Sequence, residues 1–187
     1  MQHRAELALD QARESGRGVQ LFSSTEYGDP RRRLALLDDL RLGIDRQEVS
    51  LCYQPIVAAR TGVVASVESL MRWTSPTHGV VSPGQFIPIA EETGQICDLT
   101  LYAIRQAISD SKELDRNGFP MRIGVNLSSR ALIDSKFVEA ALDLIEADFD
   151  RISFEITETS SIEEWKIALD NLRRFSGAGV KLSLIHI

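Results

Sequence analysis

Cysteine and histidine are scarce in this chain: two and three, respectively, among 187 residues. Cys52 and Cys97 lie far apart with no CxxC spacing, and His3, His78 and His186 show no ligand spacing, which removes the usual zinc patterns. A reduced, cytosolic chain with small buried thiols is the reading that remains. No apolar run approaches the roughly 20 residues that a membrane-spanning helix needs. The N-terminal MQHRAELALDQAR also lacks the apolar core of a signal peptide. This segment is therefore expected to be soluble and to make no membrane contact, with an anchor elsewhere in a longer parent left open. Positive charge is in deficit as well. A net charge of −6 argues against binding polymeric nucleic acid and leaves room for a cation among the acidic residues. Finally, there is no glycine-rich phosphate loop, which counts against a dinucleotide-binding fold.

What is present suits one sizeable core: 43% of the residues are hydrophobic and 26% charged. The most informative stretch is VVASVESLMRW, Val63 to Trp73. Its first five residues have the β-branched, small character of a strand buried on both faces, and Glu68 then stands near the strand's expected C-terminal end. A carboxylate there is costly unless it is paired, hydrogen-bonded or bound to a cation. On this stretch alone a structural ion pair with Arg72 explains it as well as a functional site does.

Along the chain, Ala5 to Ser15 has helical spacing and Val19-Gln20-Leu21-Phe22 resembles a short strand, followed by the polar linker SSTEYGDP. Residues 1–22 read as the tail of a preceding domain and 23–30 as a linker, so that a new domain opens near Arg31 with a helix to Ile44. Val49 to Ala58 is strand-like up to Pro55, and Arg60-Thr61-Gly62 turns it into the next strand as an antiparallel hairpin. Ser82-Pro83 offers a helix N-cap with proline at the first position, and a second helix spans Asp98 to Asn117. Then come a strand over Met121–Leu127, a helix over Ser135–Ala147, a strand over Arg151–Thr157, a helix from about Ser161 to Phe175 and a strand from Val180. Repeated strand–helix alternation implies a parallel sheet wrapped by helices. The fold class is α/β, a (β/α) barrel of the TIM type. A whole barrel needs about 250 residues, so the chain is expected to hold about the first half.

Three strands carry an oxygen ligand at a similar place. Glu68 closes VVASVE, Asn126 closes MRIGVN, and Glu155 lies late in RISFEIT. In parallel barrels the C-terminal strand ends converge on one mouth, so these side chains would meet. Two carboxylates and an amide form a hard donor set suited to Mg²⁺ or Mn²⁺. Singly, each has an ordinary explanation: Asn126 could cap the turn at Leu127-Ser128-Ser129, and Glu155 could pair with a lysine.

Tyr53-Gln54-Pro55-Ile56, Glu68-Ser69-Leu70-x-Arg72-Trp73, Asn126-Leu127-Ser128 and Glu155-Ile156-Thr157-Glu158, in this order and spacing, closely resemble the EAL domain, the bacterial cyclic-di-GMP phosphodiesterase. The resemblance runs from about Arg31 to Leu184. The segment LALDQARESGRGVQLF is similar to the closing helix and strand of a GGDEF diguanylate cyclase domain, which often precedes EAL in signalling proteins. The EAL resemblance implies a barrel whose first strand is antiparallel to the others, two Mg²⁺ or Mn²⁺ ions at the mouth, and hydrolysis of cyclic-di-GMP to linear pGpG by activated water. It implies Glu68, Asn126 and Glu155 as metal ligands and Glu158 as a residue that orders a neighbouring loop. Gln54, Leu70 and Arg72 would hold the nucleotide, Arg72 by charge-assisted hydrogen bonds to phosphate. A homodimer of the full-length form is compatible with the resemblance.

Two positions depart from it. The signature alanine is Ser69, a small-for-small change expected to be tolerated. After Gly179-Val180-Lys181-Leu182-Ser183-Leu184 the family would read two aspartates and Phe-Gly, but this chain reads Ile185-His186-Ile187. The family's later lysine, glutamate and glutamine are absent too. The expectation is a truncated site without useful turnover, or else an inactive domain kept as a cyclic-di-GMP receptor or interaction module.

Overall fold

A computed structural model describes residues 30–157 and 162–185. The helix and strand expected within residues 1–22, and Glu158, lie outside the described residues. The chain divides into two compact units, Met1–Asp38 and Asp39–Ile187. The architecture below is that of the second unit, apart from the start of helix α1 (Pro30–Asp45).

The elements after α1 run β1 (Val49–Val57), β2 (Val64–Ser75), β3 (Gly79–Val81), α2 (Pro83–Thr93), α3 (Ile96–Arg116), β4 (Ile123–Leu127), α4 (Ser129–Ile133), α5 (Ser135–Ile145), β5 (Ile152–Thr157), α6 (Ile162–Gly177) and β6 (Lys181–Ile185). They form one sheet in the order β1-β2-β4-β5-β6, with β3 also attached to β2. Strands β1 and β3 are antiparallel to β2, whereas β2, β4, β5 and β6 are mutually parallel. This is the expected partial barrel with its antiparallel first strand, and among the described residues β1 and β6 do not meet to close it. The hairpin between β1 and β2 turns at Gly62, whose φ of 68° is a left-handed value open to glycine at little cost.

Strands β4 and β5 alternate between two kinds of side chain. Ile123, Val125 and Leu127 of β4 and Ile152, Phe154 and Ile156 of β5 point one way and are buried against Ala103, Ile104 and Ala107 of α3, Val138 and Ala141 of α5 and Phe175 of α6. Phe154 and Phe175 meet edge to face with ring centroids 4.9 Å apart, an arrangement that adds to the area they bury. The opposite face carries Gly124 and Asn126 on β4, Ser153 and Glu155 on β5 and Ser183 on β6. These intervening residues share a side because paired positions in a sheet do. One face is thus spent on the core, and the other is free to carry polar side chains.

Strand β1 lies at the edge of the sheet and gains a second anchor from α3. The Tyr53 hydroxyl donates to Asp110 Oδ2, and Gln106 donates to Asp110 Oδ1 at 2.8 Å, so both carboxylate oxygens are engaged. Burial, followed by the Asp110 interaction, pushes the Tyr53 hydroxyl's pKa far up and keeps it a donor. The neighbouring Tyr102 hydroxyl donates to the Val49 carbonyl at 2.7 Å, fastening the start of the same strand.

Several expectations require correction. Strand β2 does not end near Glu68 but continues to Ser75, because pairing with β1 up to Val49 and with β3 at Trp73 to Ser75 satisfies its backbone beyond the parallel ladder. Nor is its beginning buried on both faces: Val63 is 64% and Val64 37% exposed at the hairpin. Cys52 is exposed rather than a buried thiol, since β1 turns it away from the helices. Ser82 stands at the N-terminus of α2 but its side chain makes no capping hydrogen bond, so proline at the next position carries the helix start. The short elements β3 and α4 were not expected. Helix α4 is capped by Ser128, which accepts from the Ala131 N–H at 3.2 Å, so the turn after β4 is capped by this serine and not by Asn126.

Removing the sheet-borne ring of the aromatic pair should be severe, because Phe154 is fully buried and its cavity cannot easily collapse between sheet and helix. Phe154→Ala is expected to cost about 3–5 kcal/mol. Urea unfolding followed by circular dichroism should show the midpoint falling with an unchanged slope.

Candidate functional site

Register brings the three expected ligands together. Glu68 pairs with Gly124, Asn126 stands two residues further along β4 on the same face, and Asn126 pairs with Glu155. The Asn126 amide donates to Glu68 Oε1 at 2.7 Å across 58 residues of sequence, leaving the amide oxygen as a further donor atom for a cation. Glu155 leans back across the strand between them: a Cβ built on Gly124 would stand 2.5 Å from its Oε1. Glycine at 124 is what leaves room for that carboxylate to lie toward Glu68. Sequence reasoning passed over Gly124, although the two-residue period of MRIGVNL already sets it on the face of Asn126.

The electrostatics of the cluster are unbalanced. Glu155 is only 6% exposed, and no hydrogen bond or ion pair reaches its carboxylate among the described residues. Burial is the main reason its pKa is raised, and the Glu68 carboxylate adds to the shift. No lysine pairs with it, and no salt bridge joins Glu68 to Arg72 among the described residues. Arg72 instead donates to the Met71 carbonyl at 2.8 Å, which leaves most of its donors unspent. Both ordinary explanations weighed for these carboxylates therefore fail. Two carboxylates and an amide oxygen facing one space, one of them buried with no counter-charge among the described residues, fit a hard divalent cation well. Among the described residues no group of three or more histidine, cysteine, aspartate or glutamate side chains could hold a metal, so a cation at Glu68 and Glu155 would need the Asn126 amide as its third donor.

The residues expected to hold a nucleotide surround this cluster. Gln54 pairs with Glu68 across the hairpin and faces the same side. Leu70 and Arg72 follow Glu68 at two-residue intervals on that face, further toward the end of β2. Ser69 points the other way, into the helix-facing layer, and its hydroxyl donates to the Gly124 carbonyl at 2.7 Å. That bond satisfies a hydroxyl only 4% exposed, which is why serine is accommodated at this position. It also ties β2 to β4 at the level of Glu68. Beyond Val125 the parallel ladder between β2 and β4 stops, and the strands part around a cavity of about 260 Å³ bordered by Arg72 and Asn126.

Comparison with known proteins bears on the whole of this region. A family model described as the EAL domain matches residues 37–187. The bifunctional diguanylate cyclase/cyclic di-GMP phosphodiesterase MucR of Pseudomonas aeruginosa is 34% identical over 187 residues, covering 96% of this chain and 27% of that protein. The cyclic di-GMP phosphodiesterase PdeR of Escherichia coli is 31% identical over 184 residues, covering 96% of this chain and 28% of its own length. This chain thus spans about a quarter of the length of these relatives. Among solved structures, a complex of the MucR phosphodiesterase with c-di-GMP superposes with a TM-score of 0.71 at 31% identity, covering 80% of this chain and 62% of that one.

The buried carboxylate generates a pH prediction. A raised carboxyl pKa means that folding favours the protonated form, so this contribution to stability is complete below about 4.5, the ordinary value, and is lost as pH rises through the folded-state pKa. Glu155→Gln carries no such loss. In metal-free buffer the variant should melt above the wild-type chain at neutral pH, with the difference shrinking toward pH 4.

Proposed function

Because the chain belongs to the EAL domain family, we propose that it forms the nucleotide-gripping and first metal-ligating part of a site whose reaction is the hydrolysis of cyclic-di-GMP to pGpG. The observation that carries this reading is the meeting of Glu68, Asn126 and Glu155 on one face, with Arg72 beside them in no salt bridge among the described residues. The donor set favours Mg²⁺ or Mn²⁺. A divalent cation held there would neutralise phosphoryl charge and lower the pKa of an attacking water.

The chain's own residues do the rest by position. Glu68 and Glu155 supply the negative charge that draws the cation, and Asn126 fixes the orientation of Glu68 through its amide. The Arg72 guanidinium exchanges its present carbonyl contact for phosphate oxygens, a stronger, charge-assisted interaction. Gln54 and Leu70 contact the nucleotide from either side of Glu68, and Glu158 orders the loop after β5. Residues 1–22 are read as the remnant of a GGDEF-like domain and 23–30 as a linker to the EAL domain. The alignment with a bifunctional cyclase/phosphodiesterase, which covers 96% of the chain, favours this organisation. Among the described residues no helix is long and apolar enough to cross a membrane. The setting proposed is cytoplasmic, where a cyclic dinucleotide messenger and reduced thiols belong.

The receptor reading is favoured by one specific observation. Where the family has two adjacent aspartates after Leu184, this sequence has Ile185-His186, so the second cation lacks its ligands. This chain is accordingly expected to bind cyclic-di-GMP in the presence of Mg²⁺ or Ca²⁺ and to release no detectable pGpG. Calorimetry and chromatography of the reaction mixture measure the two separately. Arg72→Ala should weaken binding by roughly ten- to hundredfold, the cost of removing charge-assisted hydrogen bonds. A folded chain that shows no heat of binding with either cation would defeat the assignment.

A further inference from the structure

Strand β1 is fastened to helix α3 at two points, each time through a tyrosine hydroxyl. Tyr102 of α3 donates to the Val49 carbonyl at 2.7 Å, and Tyr53 of β1 donates to Asp110 of α3. Along the strand Val49 and Tyr53 are four positions apart, about 13 Å at the rise of an extended chain. Along the helix Tyr102 and Asp110 are eight positions apart, about 12 Å at the rise of an α-helix. The two spacings match and run in the same chain direction, so one rigid helix can hold both points of the strand at once.

The strand needs such an outside reference because its own ladder weakens just past the second point. Gln54 follows Tyr53, Pro55 then has no N–H to give, and the pairing with β2 shifts register between Ile56 and Val57. Gln54 is therefore the last residue of β1 before the pairing falters, and it is exposed on the site face opposite Glu68. Tyr53 points the other way, toward α3, so its hydroxyl is the handle by which the helix holds the neighbouring glutamine. Asp110 is itself held in orientation: Gln106, one turn earlier on α3, donates to its second oxygen at 2.8 Å.

We propose that Tyr102 and Asp110 of α3 form a two-point gauge that sets how far β1 can slide along the sheet, which makes Asp110 a positioning residue for the ligand contact of Gln54. The inference rests on the cyclic-dinucleotide reading above, in which Gln54 touches the nucleotide, and deepens it by giving a role to a carboxylate on the far side of the sheet. A slide of about 1 Å at Gln54 takes a hydrogen bond out of range. Glu68, Asn126 and Glu155 stand on strands held by the parallel ladder and by the core behind it, so they do not share this dependence. A network that served stability alone would weaken every property of the site together, whether or not Gln54 were present.

The test is calorimetry of the whole chain with cyclic-di-GMP in Ca²⁺, arranged as a double-mutant cycle between Tyr53→Phe and Gln54→Ala. Tyr53→Phe keeps the ring and removes only the hydroxyl. It should weaken binding roughly three- to tenfold when Gln54 is present and have no effect once Gln54 is alanine. Mn²⁺ uptake should be the same in Tyr53→Phe as in the wild-type chain. Asp110→Asn, which keeps one acceptor oxygen for Tyr53, should retain more affinity than Asp110→Ala. An equal loss with and without Gln54, a parallel loss of Mn²⁺ uptake, or full affinity in folded Tyr53→Phe would overturn the gauge. Hydrogen exchange tests it without ligand: Asp110→Ala should speed exchange of the β1 amides and leave those of β4 and β5 unchanged, and unaltered β1 exchange would overturn the gauge even if Tyr53→Phe failed to fold. A wild-type chain that binds no nucleotide would defeat the functional reading and with it the role of Gln54, a result distinct from binding that ignores Tyr53.

Discussion

The structure turns on a carboxylate that folding buries with no counter-charge among the described residues. Glu155 is 6% exposed, faces a second carboxylate in Glu68, and has no cation or donor beside it among the described residues. A domain does not keep such a group in its interior for stability, because burying an ionised carboxylate unpaired is among the costliest placements available. The surrounding features accommodate it. Gly124 leaves space for the carboxylate, the Asn126 amide occupies one oxygen of Glu68, and the Ser69 hydroxyl fixes the strand spacing at that level.

The remaining architecture positions this cluster by dividing each strand's labour. The helix-facing residues of β4 and β5 build a dense apolar layer with α3, α5 and α6, which supplies the hydrophobic stabilisation. Because that layer fixes strand register, it also fixes which side chains meet on the other face. A slip of one residue between β4 and β5 would turn Glu155 into the helices and Phe154 into the site. The site therefore inherits its precision from the core behind it. The strand β1, which among the described residues has a strand on one side only, depends on Tyr53 and Asp110 to hold Gln54 in line.

Much of this was legible from residue order. The antiparallel hairpin followed from two β-rich runs joined by Arg60-Thr61-Gly62, and the parallel sheet from strand–helix alternation. The grouping of Glu68, Asn126 and Glu155 followed from one rule about where parallel strands converge. What escaped the sequence is pairing information. Strand β2 was drawn too short because its second half is stabilised by partners on either side, β1 and β3, which a single-strand pattern does not reveal. Ser128 rather than Asn126 caps the turn after β4, a choice decided by a short helix too brief to leave a periodic signal. Gly124 was passed over because its importance lies in the space above it, occupied by a side chain 31 positions away in the chain. The cavity bordered by Arg72 and Asn126 was missed because it opens where two strands part, and no local pattern encodes a gap.

The central claim is that Glu68, Asn126 and Glu155 together hold a divalent cation, and Mn²⁺ reports on this directly. A titration of the chain with Mn²⁺ at neutral pH, followed by electron paramagnetic resonance of the free ion, counts bound cations without requiring turnover. The wild-type chain should take up one Mn²⁺ that Glu155→Gln and Asn126→Ala each fail to bind at the same concentration, and uptake should fall as pH drops and Glu155 is protonated. Undiminished Mn²⁺ uptake by folded Glu155→Gln would contradict the account.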